Sequence, residues 1–67
     1  MNETSTYAQA VSEYEAARLA LYRSELALHD AQGTGVDRWI AAAADHLHEA
    51  VERELKAAAV VAGFSAA

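Results

Sequence analysis

Large side chains recur at every seventh position through the first half of the chain, at Tyr7, Tyr14, Leu21 and Leu28, beside a series of small ones at Ala10, Ala17, Ser24 and Ala31. A repeat of seven returns to the same face of a helix, so the two series describe one helical face shaped for close approach by another helix. The second half answers with Ile40, Leu47, Glu54 and Val61 at the same spacing, and one of those four is an acid. There is no proline, and the three glycines, Gly33, Gly35 and Gly63, stand where helices should stop. This punctuation predicts one domain, with helix one over about residues 6–32, a turn at 33–36, helix two over about 37–62 and a short apolar tail at 63–67.

Thr6 is the expected N-cap of helix one, with Gln9 placed to complete a capping box; Ser5 and Thr4 are alternatives. Gly33 is expected to close that helix in the left-handed conformation. Either Thr34 or Asp37 caps helix two. Thr34 would leave Asp37 in the first turn, where a carboxylate suits the helix dipole, and Asp37 would make a hydrophobic staple of Val36 and Ala41. Gly63 is the expected stop of helix two, with Phe64 folding back on the last turn.

Two helices of about 25 residues, each roughly 37 Å long, joined by a short turn give an antiparallel hairpin. A turn centred near Thr34 sets Leu28 against Ile40, Ser24 against Ala44, Leu21 against Leu47, Ala17 against Val51, Tyr14 against Leu55 and Tyr7 against Ala62. On a wheel of about 100° per residue, helix two has one apolar side, formed by Ile40, Ala43, Ala44, Leu47, Val51, Leu55 and Ala58, and one polar side, formed by Asp45, Glu49, Glu52 and Lys56. Helix one has a second apolar face. Leu19, Tyr22 and Leu26 lie well over 90° from the ladder, with Val11 between. One partner helix cannot cover both, so Val11, Leu19, Tyr22 and Leu26 are predicted to form a dimer interface. The predicted architecture is all-α, an antiparallel two-helix hairpin that dimerises into a four-helix bundle about a twofold axis.

Length supports association. A chain of 67 residues buries little apolar surface alone. Cysteine is absent, which excludes disulfides, thiolate zinc sites and a thiol nucleophile and leaves oligomerisation or a partner as the source of stability. The stretch MNETSTYAQ lacks the basic and apolar regions of a secretory signal, and no apolar run approaches the roughly 20 residues of a membrane span, so a cytoplasmic protein without membrane contact is expected. The formal net charge of -5, with basic residues scattered at Arg18, Arg23, Arg38, Arg53 and Lys56, argues against nucleic acid as a partner. An acidic excess of this size serves solubility, though it also allows an acidic face that imitates nucleic acid.

Candidate chemistry is sparse. Asp45, His48 and Glu52 have the helical spacing of metal ligands, and Glu25 with His29 can join them across a dimer interface; His46 lies on the opposite side. The plainer account of this stretch is a solvated charged face with i, i+4 support. No catalytic residue is identified, because Ser5, Ser12, Ser24 and Ser65 have no adjacent base and orienting acid, and QGTGVD lacks the lysine of a phosphate-binding loop. The aromatic stripe is core packing rather than a cofactor site, and no cofactor is expected. Arg18 and Glu54 lie inside apolar faces: either they pair, with Tyr14 nearby, and fix register, or each snorkels outward.

Trp39, beside the turn, either caps the bundle end or protrudes as an anchor, while Val60 and Phe64 in the apolar tail face away from the seam; these three are the candidate partner-binding residues. The final Ser65-Ala66-Ala67 is similar to the alanine-ended tags read by bacterial unfoldases, which implies a bacterial or phage origin. The sequence therefore points to a small non-enzymatic protein-interaction module, an adaptor or regulator, acting as a homodimeric bundle. The alternatives are a metal-binding helical bundle and an acidic inhibitor that imitates nucleic acid.

Overall fold

The computed structural model describes residues 6–65, which form a hairpin of two helices, α1 (Tyr7–Thr34) and α2 (Asp37–Ser65). Thr6 is the N-cap of α1: its backbone is extended and its hydroxyl accepts a hydrogen bond of 3.0 Å from the Gln9 amide. Only this half of the capping box forms. The alternative caps Thr4 and Ser5 lie outside the described residues, as do Ala66 and Ala67 of the tag-like terminus.

The turn is tighter than expected, and a different glycine makes it. Gly33 stays helical, and Gly35 adopts the left-handed conformation, with φ 71° and its amide donating to the Gln32 carbonyl at 3.3 Å. Thr34 supplies the missing link of this closure. Its hydroxyl donates to the Ala31 carbonyl and accepts from the Val36 amide at 3.1 Å, so it relays a bond that the backbone would otherwise make directly. Val36 then occupies the N-cap position of α2, its carbonyl accepting from the Trp39 and Ile40 amides at 3.0 Å. Neither Thr34 nor Asp37 is that cap. Asp37 is the acid of the first turn, where it favours the helix dipole.

At the far end α2 runs through Gly63 instead of stopping there. A glycine inside a helix costs about 1 kcal/mol relative to alanine, which is not a barrier to continuing. Continuation places Phe64 seven residues beyond Ala57, on the same helical face, and its ring meets that of Tyr7 edge to face with centroids 5.7 Å apart. The partner of Tyr7 is thus Phe64, two residues further along α2 than Ala62.

Written as heptads with Tyr7 and Ile40 at position a, the seam consists of positions a and d on both helices. The ladder of α1 lies there as expected, and on α2 the half-buried or buried residues are Ile40, Ala43, Leu47, Ala50, Glu54, Ala57 and Val61, with Ala58 beside them. Ala44, Val51, Leu55 and Ala62, expected to face α1, are exposed instead. The reason is steric. Alanines at position d let two helices approach closely, and a close approach leaves no room for side chains outside the a and d rows. The buried residues are Ala10, Ala17 and Ala50, so among the described residues nothing larger than alanine is buried. The hairpin is a rod with Cα extents of 47 × 24 × 13 Å, one layer of two helices, and among the described residues nothing closes over the seam.

Candidate interaction surfaces

Three groups of exposed apolar side chains surround the seam, and the heptad position of each sets its direction. Leu19 and Leu26 occupy position f, directly opposite α2, and are 48% and 47% exposed. Tyr22, at position b, borders them, and half-buried Val11, at e, stands at the edge of the seam. Sequence reasoning therefore found a real surplus on α1, one that turns from the flank of the hairpin round to its back.

Sequence reasoning missed the second group. Val51 at e and Leu55 at b lie on the flank of α2, and Leu55 is 60% exposed, the highest value among the described large apolar residues. From Ala41 to Ala62 the e and b positions of α2 are Ala41, Ala44, His48, Val51, Leu55, Ala58 and Ala62, a strip with a single titratable side chain. In an antiparallel pair the e positions of both helices lie on the same side of the seam, so this strip is continuous with Val11 and Tyr22. A wheel of 100° per residue had merged it with the seam; counting in sevens from Ile40 separates the two.

Trp39 and Val60 form the third group, at g positions on the opposite flank, each 50% exposed. Val60 lines a shallow open groove with Glu13, Arg53, Lys56 and Ala57. Phe64 does not share this flank as expected. It sits at d, in line with the seam, and its ring is engaged by Tyr7. Trp39 is half exposed beside the turn.

Arg18 donates from Nη1 to the Tyr14 hydroxyl at 3.2 Å and lies 6.0 Å from the centre of that ring. This hydrogen bond is the main reason its guanidinium is held above its ordinary value, with Glu54 and Glu25 adding to it from a distance. Arg18 and Glu54 do not form a close ion pair: among the described residues, the one pair within 4.0 Å is His48 Nε2 to Glu52 Oε2 at 3.3 Å. Arg18 thus turns outward onto Tyr14, while Glu54 stays half-buried in the seam.

Of the candidate metal ligands, His48 and Glu52 touch, both well exposed. Asp45, like Glu52, occupies outward position f, and Glu25 and His29 stand on α1. Among the described residues no three His, Asp or Glu side chains converge within one chain, so a metal site built from these five residues needs ligands from two. Among the described residues no helix is long and apolar enough to cross a membrane. Comparison with protein-family models, with curated proteins and with solved structures finds no match to this chain.

Proposed function

We propose that this chain is a non-enzymatic, cytoplasmic protein-interaction module, an adaptor or regulator, which acts as a homodimeric four-helix bundle. The observation that carries the reading is a mismatch between what is buried and what is exposed. Among the described residues the seam buries alanines, while nine large apolar side chains remain exposed. The exposed surface of 4905 Å² is about 800 Å² more than a compact monomer of this mass presents. A standard interface removes about 800 Å² from each partner, so one association of ordinary size would absorb the excess.

Val11, Leu19, Tyr22 and Leu26 are the part of α1 that association covers in this reading. Trp39 and Val60 on the other flank are left for a different protein, and Phe64 offers only the part of its ring that Tyr7 leaves open. Sedimentation equilibrium tests the central claim: a dimer is expected at micromolar concentration, and a folded monomer there would refute it. Leu26→Asp is expected to weaken the dimer more than Glu49→Ala, because Glu49 lies on a polar face. Equal effects would remove the back of α1 from the interface.

A further inference from the structure

We infer that the second copy seats chiefly on the Val51 and Leu55 flank of α2, with Val11 and Tyr22 of α1 completing that surface and Leu19 and Leu26 at its margin. The inference rests on the homodimer reading and says which face makes the dimer. In a closed bundle each helix touches two neighbours roughly at right angles. The seam is one of those contacts. Positions e and b lie about a right angle from it, whereas position f, where Leu19 and Leu26 sit, points straight away. Copies joined only through position f would form a flat row of helices and leave the seam open.

On α2, charge favours the same face. Each copy carries a formal net charge of -5, so copies repel unless they meet where acids are few. The outward face of α2 presents Arg38, Asp45 and Glu52, and its other flank presents His46, Glu49, Arg53 and Lys56. The Val51 and Leu55 strip has only His48. On the α1 side of this flank, Glu15, Arg18 and Glu25 stand at e and b positions with His29, so under a twofold the Arg18 of one copy can face an acid of the other. The surplus area is that of one partner's share of a standard interface, so a single copy suffices to cover it.

Sedimentation equilibrium on single variants of the full chain decides between the faces. Leu55→Asp is expected to raise the dimer dissociation constant at least about tenfold more than Leu26→Asp. An equal or larger effect of Leu26→Asp, with the wild type dimeric, would overturn the inference and leave the homodimer standing; a monomeric wild type would overturn both. Because Asp substitutions can unfold a chain that depends on its partner, a gentler measurement accompanies them. The protein has no cysteine, so Leu55→Cys and Leu26→Cys each introduce a unique thiol. As protein concentration rises through the dissociation constant, maleimide labelling of Cys at 55 is expected to slow several-fold more than labelling at 26. The reverse order, or no slowing at 55 while dimer forms, would sink the proposal.

Discussion

Gly33 and Gly35 look alike in the sequence, but the structure asks opposite things of them. Gly35 has φ 71°, where an added Cβ is strained whatever the space around it, while Gly33 and Gly63 are helical with nothing within 4 Å of an added Cβ. Gly35→Ala is therefore expected to destabilise the protein by about 1 kcal/mol. Gly33→Ala and Gly63→Ala should each stabilise it, by up to about 1 kcal/mol, by restricting the unfolded chain and favouring the helix. Urea unfolding at fixed protein concentration checks all three, and a loss of stability at Gly33→Ala would mean that it, too, is needed to turn the chain. The N-cap at Thr6 was legible because a hydroxyl three residues before an accessible amide is a local signal. The choice between glycines was not, since it depends on Thr34 bridging Ala31 and Val36 one residue from the turn.

Among the elements, α1 was the easier helix to read. Its seam residues are the heptad ladder itself, large at a and small at d, and the pattern has one solution. On α2 the apolar residues fill the seam and the adjoining flank together, so a wheel returns their average direction and chooses Val51 and Leu55 over Ala50 and Ala57. Size resolves this. The side that α1 can approach closely is the one whose d positions are alanine, and Ala17, fully buried, shows how close that approach is. Ala17→Leu is accordingly expected to cost about 1–3 kcal/mol by forcing the helices apart, although leucine is the better hydrophobe. Ala42→Leu, exposed on the opposite flank, should lack that penalty. Thermal or urea unfolding of the two variants at one concentration makes the comparison, and similar losses would show that the seam has slack. Phe64 follows the same logic: once α2 passes Gly63, the spacing of seven carries it to Tyr7, and only the assumed stop hid this.

At the scale of the molecule, a single layer of two helices in which alanine is the largest buried residue among those described cannot draw much stability from its own interior. In the homodimer reading, folding and association become one equilibrium, and stability acquires a concentration term. A tenfold dilution then removes about 1.4 kcal/mol from the dimer, which for chains of this size lowers Tm by roughly 5 °C. A hairpin stable on its own would melt at the same temperature before and after dilution. Ionic strength supplies an independent axis. Two chains of net charge -5 repel across any interface, and this repulsion is screened within about 8 Å at physiological salt but reaches about 30 Å at 0.01 M. Raising salt from 0.01 M to 0.15 M at constant protein concentration should therefore raise Tm, and the rise should be smaller for Leu55→Asp, which has less dimer to stabilise. Melting curves at several concentrations and two salt levels measure both effects. A Tm that ignores dilution would show that the alanine seam suffices alone, and that the exposed Val51 and Leu55 flank is not required for the hairpin to fold.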